Sequence, residues 1–175
     1  TATPTAHGDG VSDAQMVDMA VGEINGERVT TIAVDITGLA CTGDSNHTIG
    51  DPGSGSGEAN AYLTQITDAV NGIVYRVEMA CIEPPAGTNV ALDIDLKFNS
   101  AALNSLTRSD LNTNATIINT GGDWVKGTYQ INNPGVATAM NLTNMYLYFV
   151  NGNNSHSGGT YTAGKFLIKL YGANF

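Results

Sequence analysis

The feature that most constrains the fold is a strict alternation of apolar and polar residues that recurs along the chain. In residues 92–98 (LDIDLKF), apolar side chains alternate with Asp93, Asp95 and Lys97. Residues 73–81 repeat the pattern, and five of their side chains are expected on the core side: Ile73, Tyr75, Val77, Met79 and Cys81. A period of two is typical of strands that bury one face and expose the other. We therefore expect Asp93 and Asp95 to lie on a solvated face.

Turn residues divide the alternating segments into roughly nine strands. These are residues 17–24, 28–36, 62–66, 73–81, 92–98, 115–119, 125–131, 145–150 and 165–171. Two Asn-Gly pairs, Asn25-Gly26 and Asn71-Gly72, predict type I′ hairpins, because both central residues of that turn need positive φ. The first would pair residues 17–24 with 27–36, and the second residues 62–69 with 73–82.

This pattern indicates an all-β fold in a single domain over residues 1–175. The expected architecture is an antiparallel β-sandwich, jelly-roll-like, with about nine strands and at most one or two short helices. Residues 100–108 could form two helical turns. Ser12 and Gln15 have the spacing of a helix capping box, but the alternation of the residues that follow favours a strand there.

Residues 145–150 (MYLYFV) do not alternate, because both faces of the segment are apolar or aromatic. Such a strand is either central and covered on both sides, or it gives one face to a partner subunit. Tyr146 and Tyr148 are therefore candidate interface anchors. Trp124, the single tryptophan, is a third: alternation places it with Lys126, where it could bind a sugar, contact a partner or cover a sheet edge beneath a loop.

The charge balance is acidic, with a net charge of −9. No cluster of Lys or Arg is present, so nucleic acid and anionic membranes are poor partners. Residues 1–95 carry a net −12 and residues 96–175 a net +3. Either this charge split marks complementary surfaces for assembly, or the two halves interleave in one sandwich and the charge asymmetry averages out. No apolar run approaches the roughly 18 residues that span a bilayer.

The search for catalytic chemistry assigns no catalytic, cofactor-binding or metal-ligating residue. His7, His47 and His156 lack the spacing of a zinc site. The acidic segments 7–13 and 44–51 contain oxygen ligands but do not match a calcium-binding EF loop. Asp93 and Asp95 could act as a glycosidase carboxylate pair, but we favour an exposed strand face, which explains them without a site. Cys41 and Cys81 could form one disulfide or remain two thiols, and we favour the thiols.

Two segments carry a resemblance to a known class of proteins, namely residues 62–76 (YLTQITDAVNGIVYR) and 160–172 (TYTAGKFLIKLYG). With its Thr-, Asn- and Gly-rich composition, the chain resembles capsid decoration, or cement, proteins of marine tailed bacteriophages. The resemblance implies a β-sandwich or jelly roll on the outside of the phage head, bound to major capsid protein subunits and to copies of itself, often as a trimer. A decoration protein needs no titratable site, so the resemblance implies that the chain is not an enzyme.

Three functions follow as hypotheses. The first is a non-enzymatic virion protein on the capsid surface that stabilises the head. The alternative is a carbohydrate-binding β-sandwich, secreted or on a virion appendage, that stacks sugars on Trp124 and tyrosines. The third is a glycan-cleaving enzyme that uses Asp93 and Asp95.

Overall fold

Ten strands and one short helix make up the computed structural model, which describes residues 7–42, 47–52, 59–102, 116–132, 141–152 and 157–174. The strands are β1 (Met16–Ile24), β2 (Glu27–Asp35), β3 (Ala40–Thr42), β4 (Tyr62–Gln65), β5 (Ile73–Gly87), β6 (Ile94–Asn99), β7 (Thr116–Ile118), β8 (Tyr129–Asn132), β9 (Tyr146–Asn151) and β10 (Gly158–Ala173). The helix α1 spans Asp68–Asn71. Within these residues, no helix has the length and apolar character needed to cross a membrane.

The strands form two antiparallel sheets. The larger sheet has the order β1-β2-β10-β5-β8, with β3 paired to β10, and the smaller sheet has the order β4-β9-β6-β7. Without β1 and β3, the remaining eight strands follow the order of a jelly roll, the two-sheet fold built from two Greek keys. The predicted antiparallel β-sandwich is confirmed. Strand β10 lies between β2 and β5, so the net negative first half and the net positive second half of the chain interleave in one sheet.

A single apolar core fills the space between the sheets. The larger sheet contributes Ile32 and Met79, and the smaller sheet contributes Leu96 and Phe149, all fully buried. The ring of Phe149 meets the ring of Phe166 edge to face with centroids 5.4 Å apart. This contact joins β9 to β10 across the sandwich, in the geometry that aromatic quadrupoles prefer.

All nine predicted strands are present, although several boundaries differ. Strand β3 was not predicted, because three residues are too few to show a period of two. Strands β5 and β10 are longer than predicted, at 15 and 16 residues. The helix expected over residues 100–108 lies mostly outside the described residues, and residues 100–102 are not helical.

The first Asn-Gly pair forms the predicted hairpin. Asn25 has φ 54° and Gly26 has φ 79°, and β1 pairs with β2 from Ile24 opposite Glu27. Both turn residues are left-handed, as a type I′ turn requires.

The second Asn-Gly pair does not form a hairpin, and that prediction is wrong. Asn71 ends α1, where the Thr67 hydroxyl accepts a hydrogen bond from the Val70 N–H as an N-cap. Strand β4 pairs with β9 in the smaller sheet, whereas β5 lies in the larger sheet. The chain therefore crosses the sandwich at this point, and Gly72 with φ 68° ends the helix.

Strand β9 is covered on both sides. It lies between β4 and β6, and residues 147–151 are all buried. This is the first of the two alternatives for the non-alternating segment, a central strand with two covered faces.

Candidate functional site

The two aspartates singled out as a carboxylate pair are buried, so the prediction of an exposed strand face is wrong. Asp93 is 5% exposed and Asp95 is fully buried. The Thr120 hydroxyl lies 2.9 Å from Asp93 Oδ1, and the Gly152 N–H donates to the Asp93 carbonyl at 2.8 Å. A Cβ at position 152 would lie 2.5 Å from the Asp93 carboxyl carbon. Because protein surrounds both carboxylates, neither is accessible to a glycan.

The outer side of the smaller sheet is also covered, which is why alternation failed there. Asp95 pairs with Val150 and Lys97 with Tyr148 across β6 and β9. All four side chains are buried, with Lys97 only 2% exposed. An alternating pattern identifies two faces but does not say whether the polar face is solvated.

Trp124 is a core residue and does not reach the surface. Its side chain is 2% exposed, and its Nε1–H donates to the Ile94 carbonyl at 2.7 Å. The ring meets Phe166 edge to face at 5.5 Å. Strand β8 begins at Tyr129, so Trp124 precedes the strand and the parity argument does not apply. The prediction of a surface anchor is wrong for this residue, and the carbohydrate-binding alternative loses its tryptophan platform.

The other two candidate anchors belong to a tyrosine cluster on the smaller sheet. Tyr148 is fully buried, and its hydroxyl donates to the Ala101 carbonyl at 3.2 Å. Tyr146 is half-buried, and its ring meets that of Tyr62 edge to face at 4.9 Å. Of the three candidates, only Tyr146 keeps surface for a partner.

The cysteines are both buried and free, as expected. Cys41 Sγ lies 3.2 Å from Asn151 Oδ1, and the Ala91 N–H points to the sulfur at 3.5 Å. Burial raises the pKa of both thiols. A buried thiol with a raised pKa is a poor nucleophile, because the thiolate is the reactive form.

We therefore expect native protein to react slowly with Ellman's reagent at pH 8. Both cysteines of the protein should react completely once the chain is unfolded in guanidinium chloride. Absorbance at 412 nm before and after denaturant measures the two rates. Rapid reaction of one thiol in the native protein would contradict the burial of that cysteine.

The two histidines that the structure describes occupy different settings. His7 Nε2 lies 2.9 Å from Asp13 Oδ1 in an exposed pair, His47 is buried, and His156 lies outside the described residues. Asp44 of the second acidic segment also lies outside them. Among the residues that the structure does describe, no group of three His, Cys, Asp or Glu side chains could hold a metal ion.

The most distinctive surface is the outward side of the larger sheet. One row of apolar side chains crosses four strands of this sheet. Each residue of the row pairs with the next, in the order Tyr129, Ala80, Leu167 and Ala33. The next row begins with Ile131 opposite Glu78. Tyr129 is 49% exposed and Ile131 is 52% exposed. We call the outward residues of β2, β10, β5 and β8 the exposed sheet face: Val29, Thr31, Ala33, Leu167, Lys169, Tyr171, Ile73, Arg76, Glu78, Ala80, Tyr129 and Ile131.

A polar cluster stiffens the centre of the exposed sheet face. The Arg76 guanidinium lies 3.7 Å from the centroid of the Tyr171 ring. The Tyr171 hydroxyl donates to Glu78 Oε2 at 2.8 Å, and Arg76 Nε lies 3.3 Å from Glu78 Oε1. Burial, and then Glu78, raise the pKa of the Tyr171 hydroxyl. The arrangement holds an aromatic ring and a cation in fixed positions.

Side-chain alternation placed Arg76 and Glu78 on the outer side of β5 but failed at the start of the strand, because a β-bulge reverses the alternation there. Tyr171 pairs with Arg76 and Gly172 with Val74, so Tyr75 is an extra residue. One extra residue flips every side chain beyond it to the other face. Ile73 and Tyr75 are therefore exposed, and the prediction that they face the core is wrong.

Comparison of the chain with protein-family models, curated proteins and solved structures finds no match.

Proposed function

We propose that this chain is a non-enzymatic structural protein of a virion that decorates the outer surface of a phage head. It would bind capsid subunits and copies of itself, with a trimer as the state that the resemblance implies. The main observation that supports the proposal is the exposed sheet face, an ordered surface with apolar and aromatic side chains. The jelly-roll strand order supports it as well, since viral capsid domains use this architecture.

The size of the exposed sheet face suits a stable interface. Four strands spaced about 4.8 Å apart, with nine residues in β2, cover roughly 600 Å² at about 3.3 Å per residue. A standard interface buries about 800 Å² of accessible surface on each partner. The face could therefore supply most of one side of such an interface.

The composition of the exposed sheet face also suits binding. Interface hot spots are enriched in tyrosine and arginine, and they cluster where water is excluded. Tyr129, Tyr171 and Arg76 supply these residue types, and Ile131 supplies exposed apolar area beside them. The ordered contacts of Arg76 and Tyr171 reduce the conformational entropy that binding would otherwise cost.

We expect the purified chain to have a native mass that is a multiple of 18.2 kDa and that falls on dilution. Ile131→Lys should weaken self-association at least tenfold, because it replaces exposed apolar area with a charged group that must be desolvated in the interface. Light scattering across a dilution series measures both. Val125→Lys is the matched control, since Val125 is also exposed but lies before β8 and off the face. A wild-type chain that stays at 18.2 kDa at every concentration would contradict self-association through this face.

A further inference from the structure

Strand β1 forms one edge of the larger sheet. It pairs with β2 along Met16–Ile24, and within the described residues no strand lies on its other side. The sheet edges at β7 and β8 are only three and four residues long. With nine residues, β1 is the longest of these edges.

The hairpin geometry shows which backbone groups of β1 point outward. In a two-residue hairpin, the pair that closes the turn exchanges both hydrogen bonds, and bonded and non-bonded pairs then alternate. Ile24 and Glu27 close the turn, so Gly22 and Ala20 also bond to β2. The N–H and C=O groups of Met19, Val21 and Glu23 point away from the sheet, and no backbone hydrogen bond within the described residues uses them.

Described residues cover the comparable edge of the smaller sheet, whereas none of them covers the edge at β1. At β4, the Gly8 N–H donates to the Tyr62 carbonyl at 2.9 Å, and the Gly10 N–H donates to the Asn60 carbonyl at 2.7 Å. Proteins usually protect open edges with lysines, prolines or short strands. The central segment of β1, residues 19–22, has no charge and no proline, and Val17 and Ile24 are exposed near its ends.

We propose that β1 binds an extended, basic segment of another protein, which pairs with it as an additional strand. In this mode, backbone hydrogen bonds supply affinity and alternate side chains supply specificity. β1 carries Asp18 and Glu23 and no basic residue. Because Arg28 of β2 already pairs with Glu23 at 2.9 Å, the charge argument rests on Asp18 and on the net charge of −9. Lysine or arginine on the incoming strand would complement both, whereas a second copy would bring the same acids. The proposal uses a different surface from the exposed sheet face and does not depend on it.

The test uses a fluorescent nine-residue peptide in which valine alternates with lysine, titrated into the full chain and followed by anisotropy. Saturable binding is expected. Val21→Pro should weaken it at least tenfold, because proline removes an outward N–H while leaving the bonds to β2 intact. Asp18→Lys should weaken binding several-fold, whereas Asp123→Lys, an equal charge change at an exposed loop residue, should not.

A peptide N-methylated at every amide provides a control that does not depend on the folding of any variant. It keeps the charge but has no backbone donor on either edge of the strand, so it should not bind. Equal binding of the two peptides would overturn the proposal, because the attraction would then be only electrostatic. Absence of binding by the unmodified peptide would also overturn it. So would a self-association of the chain that Val21→Pro abolishes, since β1 would then pair with a second copy.

Discussion

Replacing Trp124 with alanine is expected to lower the free energy of unfolding by about 3–5 kcal/mol, the usual cost of removing a large aromatic side chain from a packed core. The substitution removes the edge-to-face contact with Phe166. It also leaves the Ile94 carbonyl without its indole donor. Chemical denaturation followed by circular dichroism measures the change, since the fluorescence of the single tryptophan is lost in this variant.

Trp124→Phe is the matched control. Phenylalanine keeps most of the ring volume but cannot donate to the Ile94 carbonyl, so its cost should be well below that of alanine. If Trp124→Ala instead unfolds at the wild-type denaturant concentration, the indole does not lie in the core. That outcome would restore Trp124 as a candidate surface platform for sugars.

Replacing Lys97 with methionine is expected to lower the free energy of unfolding by about 3–5 kcal/mol, because it removes a buried positive charge close to the buried carboxyl group of Asp95. Lys97 and Asp95 are both buried on the same side of β6. Residues two apart on a strand lie about 7 Å apart, so each charge affects the other in a region that excludes water. Methionine matches the length of the lysine stem and removes the ammonium group. Urea denaturation of the two proteins gives the difference.

The double variant Lys97→Met with Asp95→Asn separates loss of charge from loss of packing. It contains neither buried charge, so it should be more stable than Lys97→Met alone. Additive costs would contradict the proposed coupling and would mean that the two charges are compensated by different groups. Asp68→Asn, at an exposed carboxylate in α1, controls for the loss of one acid elsewhere.

The two Asn-Gly pairs show how far turn chemistry can be read from sequence. Asn25-Gly26 forms the predicted hairpin, because its flanking strands are neighbours in one sheet. Asn71-Gly72 has the same local preference, yet the chain uses it to end a helix and cross between sheets. The pairing partners of β4 and β5 decide which turn is formed, and these partners are distant in sequence.

The candidate site residues also show the difference between what local sequence indicates and what the tertiary fold decides. Trp124, Asp93 and Asp95 were singled out by residue type and local parity, and all three are buried. The alternation that groups Trp124 with Lys126 would place Tyr129 and Ile131 on the opposite, buried side, yet both are exposed on the larger sheet. Residue type alone does not show which surfaces the tertiary fold covers.

The sequence by itself determined the all-β class, the approximate positions of nine strands and one hairpin. These follow from side-chain alternation and from the φ preferences of Asn and Gly, both of which act over a few residues. Only the tertiary structure decided which strands share a sheet, that both sides of β6 and β9 are covered, and that the bulge at Tyr75 turns Ile73 outward. Those outcomes depend on burial between segments far apart in the chain, and a local pattern contains no information about what packs against it.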